Sequence, residues 1–348
     1  MEPRLHTGAL RLAMRPWRAL RWGLKSVVGA RRHIVVEIRW RLGDEVMAIP
    51  IYEALRTRYP DSRITVLCNH PDVLIDNPFV DAVNLEQAVQ PPPLLHPPGE
   101  SHLRPLRPLG PLGPLRPPIR PVLTDPSAAS RVNDPRTQAD RYLLLRSGPR
   151  TCYRLEHYAR CARVAVPATR PQLYYANWHT PLLDTIPAPF VAVSSGASWP
   201  TKRWQIARWR TVCRAIEAMG FCVVELGRED EAIGVGVSLM NTTSVRDAAC
   251  VLHAATLSVC CDSGLMHLAL AAGTPTIALF GPTDPRILVR DEPNLVAIRN
   301  DEPCQGCWNR LPEDIEPGTC PLNRAACLDT IPVDRVLSEV RDRLGAKG

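Results

Sequence analysis

Residues 257–281, LSVCCDSGLMHLALAAGTPTIALFG, decide how this chain folds. LSVCC is a short apolar run suited to a buried strand. Asp262, Ser263 and Gly264 turn the chain, and LMHLALAAG follows as a helix rich in alanine and leucine. Gly273 closes that helix, and TPTIALFG is a second apolar run. Strand, helix and strand at this spacing make a parallel βαβ unit.

The same alternation extends in both directions. FVAVSSG is a strand, WQIARWRTVCRAIEAMG a helix closed by Gly220, FCVVELG a strand and VRDAACVLHAA a helix. Near the end, Val333, Val336, Leu337, Val340 and Leu344 mark one face of a final helix. In the first half, HIVVEI is a buried strand and SRITVLC another. Between them, RWRLGDEVMAIPIYEALRTRYP reads as a turn and one helix that stops before Pro60. Residues 141–166 look helical, and residues 171–189 read as a linker. The expected class is therefore α/β. Residues 34–178 form a first αβ half, residues 186–331 a second, and residues 332–348 a closing helix.

The chain has 348 residues, 45% of them hydrophobic, which is ample for packed cores and argues against wholesale disorder. A formal net charge of +7 suits an anionic partner. No apolar run is long enough for a membrane-spanning helix, and the N-terminus lacks the features of a secretory signal. With no export signal, twelve cysteines in a chain this size suggest a reduced, cytoplasmic protein with buried thiols or metal ligands. Residues 1–33 form a basic arm in which Trp17, Leu20, Trp22 and Leu24 lie among arginines. Such an arm suits peripheral contact with an anionic membrane, or a solvated or partner-packed extension. Residues 90–121 form a proline-rich insertion whose composition forbids helix and interior strand.

In open parallel sheets, ligands bind at the carboxyl ends of strands, where loops meet helix N-termini. Three segments fall at such places. In RLGDEV, Gly43 permits a tight turn, and Asp44 is either a helix cap or a general base. In SSGASWPTKRW, a small polar turn precedes Lys202, which suits a diphosphate; Ser198 adds a hydroxyl. In CDSGLMH, Gly264 allows close backbone approach to an anion, and Ser263 and His267 add donors. Asp262 there binds hydroxyls, orients the donor group or caps the helix.

These blocks, RLGDEVMAIPIYEALRTRYPDSRITVL, GASWPTKRWQIARW and DSGLMHLALAAGTPTIALFGPTDP, together resemble the ADP-heptose:lipopolysaccharide heptosyltransferases, glycosyltransferase family 9. The resemblance covers most of residues 34–290. It implies a GT-B fold, two Rossmann-like domains facing across a cleft, with the acceptor on the first and the nucleotide sugar on the second. It also implies inverting transfer from an ADP-heptose-type donor to a hydroxyl, with no catalytic metal. The final helix is expected to cross back to the first domain. Carried over, Asp44 is the base, and Lys202 neutralises the leaving diphosphate. Ser198, Glu229, Asp262, Ser263, Gly264 and His267 bind the donor. The implied acceptor is a lipopolysaccharide core sugar, another glycan or a lipid-linked sugar, and no nucleic-acid partner is expected. The contrasting reading is a non-catalytic, metal-stabilised anion-binding relative.

Cys304, Cys307, Cys320 and Cys327 stand in a C-x2-C-x12-C-x6-C array. The pair and the two further thiols suit one tetrahedral zinc or iron ion, or are simply buried. GTCPLNRAACLDTIPVDRV resembles the branch of the family that heptosylates autotransporter adhesins, which implies an iron site and a protein hydroxyl as acceptor.

Overall fold

The computed structural model describes residues 32–83, 139–146, 148–299, 302–311, 316, 318–320, 322 and 327–345. The proline-rich insertion and residues 1–31 of the basic arm lie outside the described residues.

The first lobe is built on β1 (His33–Glu37), an apolar strand buried along nearly its whole length. It pairs in parallel with β2 (Arg63–Leu67) on one side, and β2 pairs with β3 (Ala82–Val83). The expected helix between β1 and β2 is two helices, α1 (Leu42–Met47) and α2 (Ile49–Arg58). Pro50 explains the break. It has no N–H to give the Val46 carbonyl, so a continuous helix loses a bond there.

The expected helix over residues 141–166 is also corrected. Arg141–Leu144 is strand β4, which pairs in parallel with the free side of β1. Only Arg154–Ala162, α3, is helical. Gly148 and Pro149 separate the two, and the unpaired edge of β1 recruits the first four residues. The sheet order is β3-β2-β1-β4.

Residues 171–189 then cross to the second lobe. Its sheet contains β5 (Phe190–Ser194), β6 (Cys222–Glu225), β7 (Val237–Ser238), β8 (Leu257–Cys261), β9 (Thr276–Phe280) and β10 (Leu295–Arg299). All pairings are parallel, in the order β10-β9-β8-β5-β6-β7. The helices are α4 (Ile206–Ala218), α5 (Val245–Ala254), α6 (Gly264–Ala271), α7 (Pro285–Leu288) and α8 (Val333–Leu344). From β5 the chain winds one way to β6 and β7, then returns to the other side for β8, β9 and β10. The junction of β5 and β8 is therefore the topological switch point, where such sheets open a ligand crevice. Both lobes are parallel α/β layers, the GT-B architecture.

Apolar packing joins the lobes as well as filling them. One buried cluster runs from Ile34 and Tyr52 through Leu173 and Tyr175 of the crossing into Leu252 and Leu268. A second, within the second lobe, contains Trp204 and Trp209, edge to face at 5.3 Å. The final helix belongs to this second cluster. Val336, Leu337 and Val340 pack with Trp209, Val212 and Ile216 of α4, so α8 stays on the second lobe instead of crossing to the first. Its apolar stripe is already buried there. Among the described residues, no helix is long and apolar enough to cross a membrane.

Candidate active site

The lobes meet where α1 lies on α6. A Cβ on Gly43 would come within 2.7 Å of His267 Cδ2, and one on Gly264 would come within 3.1 Å of Leu42 Cβ. The RLGDEV and CDSGLMH blocks, more than two hundred residues apart, are thus pressed together through two glycines.

Asp44 stands on the first turn of α1 but does not cap it; Arg41 is the N-cap. Its Oδ1 accepts a 2.8 Å hydrogen bond from the Tyr158 hydroxyl, and Arg154 Nε lies 3.9 Å from the same oxygen. Both partners come from α3, four residues apart on its buried face. Burial, with the Asp44 charge beside it, pushes the Tyr158 phenol well up, so it stays a neutral donor.

Across the contact, Asp262 directly follows β8 and Lys202 follows β5, on the two sides of the switch point. Asp262 is 3% exposed, and Lys202 Nζ lies 2.7 Å from its Oδ2. Thr283 Oγ1 donates to the same oxygen. Burial pushes the Asp262 carboxyl up. The Lys202 charge and the hydrogen bonds from Lys202 and Thr283 outweigh it and hold the group below the ordinary carboxylate value. Asp262 therefore orients the lysine rather than capping α6. The Lys202 ammonium also sits 4.3 Å over the Trp199 ring.

Ser263 is the N-cap of α6, but its hydroxyl makes no capping bond. The oxygen is buried without a hydrogen-bond partner. A buried hydroxyl in that state costs free energy until something binds it. His267 is buried on the next turn. Burial pushes its pKa down, and the nearby Asp262 and Asp44 charges only partly oppose this, so the ring is neutral at pH 7. A cavity of about 460 Å³ opens beside His267, with Met47, Leu155 and Leu270 on its walls; neither Asp44 nor Lys202 lines it.

Ser198 is exposed and accepts a hydrogen bond from the Arg41 guanidinium of the first lobe. Glu229 is exposed on the turn after β6, and the buried acid of that turn is Glu231. Arg228 Nη2 and Arg203 Nη2 lie 3.0 and 3.4 Å from its Oε1. A Cβ on Gly196 would fall 1.8 Å from its Oε2. Glu231 thus supports the polar turn after β5, a place the sequence reading assigned to no acid. The signal was available: the run Glu229, Asp230, Glu231 follows a strand whose carboxyl end faces the site. Arg154 and Tyr158, polar residues on the buried face of an amphipathic helix, carried a similar signal.

The four cysteines of the 304–327 segment line one cavity of about 500 Å³, with Thr201 on its wall. Cys327 Sγ points to the Thr201 carbonyl at 3.7 Å and would lie 2.8 Å from a Cβ on Gly281. Burial raises the Cys307 thiol, and the other cysteines add to it. Burial likewise pushes Cys327 up to about 11. Four thiols around one space suit a thiophilic ion by donor chemistry. Among the described residues, however, no group of three or more His, Cys, Asp or Glu side chains is arranged to hold a metal ion.

Residues 162–313 match the family model for glycosyltransferase family 9 (heptosyltransferase). Lipopolysaccharide heptosyltransferase 1 of Pseudomonas aeruginosa is 32% identical over 139 residues, 37% of this chain and 39% of that protein. Lipooligosaccharide heptosyltransferase 2 of Haemophilus influenzae is 31% identical over 113 residues, 28% of this chain and 33% of that protein. The matched stretch thus spans well under half the length of these relatives. Among solved structures, Escherichia coli ADP-heptose lipopolysaccharide heptosyltransferase II aligns with a TM-score of 0.61 at 17% identity, covering 90% of this chain and 98% of that one. The iron-containing dodecameric glycosyltransferase TibC of enterotoxigenic Escherichia coli aligns with a TM-score of 0.66 at 15% identity, covering 91% and 77%. At such identities the structures speak for the shared GT-B fold. The stretch that matches the model of glycosyltransferase family 9 (heptosyltransferase) carries Ser198, Lys202 and the 262–267 turn.

Proposed function

We propose that this protein is an inverting glycosyltransferase that moves a heptose-like sugar from an ADP-sugar to a hydroxyl of a lipopolysaccharide core or related glycan. The observation that carries this reading is the Lys202–Asp262 pair at the switch point, facing Asp44 across the contact of α1 with α6. Asp44 takes the proton of the acceptor hydroxyl as its oxygen bonds to the anomeric carbon. The bond from that carbon to the diphosphate breaks, and its electron pair leaves with ADP. Attack opposite the leaving group inverts the centre. Lys202, held by Asp262, meets the charge growing on the diphosphate, as do the Ser263 hydroxyl and the first N–H groups of α6. The neutral His267, which feels the charges of both Asp262 and Asp44, meets the sugar without adding charge.

The test is transfer from ADP-heptose to a core-type acceptor with the full chain, together with ADP titration. D44N is expected to lose transfer by at least about 100-fold while binding ADP as the unsubstituted chain does. Unchanged transfer in D44N overturns the mechanism.

A second reading, in which the acceptor is a protein hydroxyl, is favoured by the four thiols gathered around one cavity behind the Lys202 loop. In that reading Cys304, Cys307, Cys320 and Cys327 would hold a zinc or iron ion, whose positive charge would offset their thiolates. The chemical step remains with Asp44 and Lys202.

A further inference from the structure

Lys202 is the only lysine among the described residues, and Asp262, 2.7 Å away, offsets much of its charge. A multiply charged diphosphate leaving from this turn needs more positive charge than that pair supplies. Trp199 beneath the ammonium adds a ring face and no charge. Arg203, next along the chain, is turned away to the Ala197 carbonyl, Asp230 and Glu231.

Arg41 is differently placed. It comes from the first lobe, yet its guanidinium donates to Ser198 Oγ on the turn after β5. It is exposed, and among the described residues no carboxylate lies within ion-pairing distance of it. A guanidinium carries five N–H groups in a fixed plane, so one bond to a hydroxyl leaves others for phosphate oxygens. Its backbone is fixed as well: the Arg41 carbonyl accepts from Asp44 N at 2.9 Å and Glu45 N at 3.2 Å. Trp40 just before it donates to the Leu145 carbonyl at 3.2 Å. The residue offered to the diphosphate and the base offered to the acceptor thus ride on one turn.

We propose that Arg41 is a ligand of the donor diphosphate supplied by the first lobe, so that seating the donor draws Asp44 into register with it. This role rests on the reading above, that the turn after β5 holds a diphosphate. It predicts a preference for ADP over AMP that depends on Arg41, because only ADP carries the second phosphate.

The experiment is calorimetric titration of the full chain, and of its R41A and R41K variants, with ADP and with AMP. R41A is expected to weaken ADP binding by about 10- to 100-fold, the loss of a charge-assisted bond, and AMP binding by far less. R41K should fall between R41A and the unsubstituted chain for ADP. Because the side chain is exposed, the apo variants should unfold at the unsubstituted chain's temperature. An R41A loss equal for ADP and AMP makes Arg41 a latch between lobes and overturns the proposal, as does no loss at all. In both cases the unsubstituted chain still binds ADP, and the donor reading stands. If the unsubstituted chain binds neither nucleotide, the donor reading fails and Arg41's role fails with it.

Discussion

Gly43 and His267 touch across the two lobes, and only the absence of a side chain at Gly43 makes the contact possible. Gly43→Ala places a methyl 2.7 Å from the His267 ring, closer than a methyl carbon packs against a ring. Because the ring is buried, either α1 or the ring must move. Overpacking of this kind costs about 1–3 kcal/mol. Thermal unfolding should show that loss, and transfer should fall further than stability alone explains. A variant with unchanged melting and rate contradicts the tight contact.

Tyr158→Phe tests how Asp44 is held. The substitution keeps the ring in its buried place and removes the hydroxyl that donates to Asp44 Oδ1 at 2.8 Å. The expected outcome is a loss of about 1.5–3 kcal/mol in stability or, equally telling, a fall of about tenfold or more in kcat. KM for the donor should be unchanged, because the Tyr158 hydroxyl bonds Asp44, the proposed base, on the side of the contact away from Lys202 and Asp262. A rise in donor KM with normal kcat runs against this assignment.

The Asp262 carboxyl titrates below its ordinary value of 3.8 in the folded chain. A depressed carboxylate contributes stability above its unfolded pKa and loses it as pH falls through the folded one. Asp262→Asn strands a mostly buried lysine, so at pH 7 it should cost about 3–5 kcal/mol. Below the ordinary carboxylate range, the gap from the unsubstituted chain should close. Denaturant unfolding at several pH values measures it, and a gap that does not change with pH removes the ion pair as its cause.

His267 titrates in the opposite sense. Its folded pKa lies below the ordinary 6.5 because of burial, so the unfolded chain takes up a proton first as pH falls. Stability from this group is therefore full above about pH 6.5 and declines below it, by up to about 1.4 kcal/mol per pH unit until the folded value is reached. His267→Gln should flatten that stretch of the stability curve. An identical slope in the variant assigns the titration to another residue.

For the cysteines, elemental analysis of the purified full chain is expected to find one zinc or iron per chain. Cys304→Ser should reduce it, and chelation should lower the melting temperature. Metal-free protein that melts normally returns Cys307 and Cys327 to buried thiols.

Much of this fold was legible in the chain because buried parallel strands and their helices are local patterns. Residues 257–281 show strand, turn, helix and strand without reference to anything distant. Residues 141–144 show the limit. Four residues become β4 only because β1 has an open side, and no local period records that. The final helix was read correctly as a helix and wrongly as a crossing, since its stripe does not say which apolar surface receives it. At the site, Asp44, Lys202 and His267 were visible as residue types at strand ends. Tyr158, Arg154 and Glu231 left only a local hint, and Arg41 less, because the partners Asp44, Gly196 and Ser198 that give them their places are far away in sequence.

The docking of α8 on α4 has a consequence for inheritance. Since the last helix returns to its own lobe, the peptide chain passes between halves at residues 171–189 alone among the described residues. A single passage lets each half drift at its own pace, with α1 against α6 as the seam that must keep its fit. The stretch matched by the family model begins at residue 162, the end of α3, shortly before that passage. Most of the second half lies inside the stretch that the family model matches, and most of the first half lies outside it.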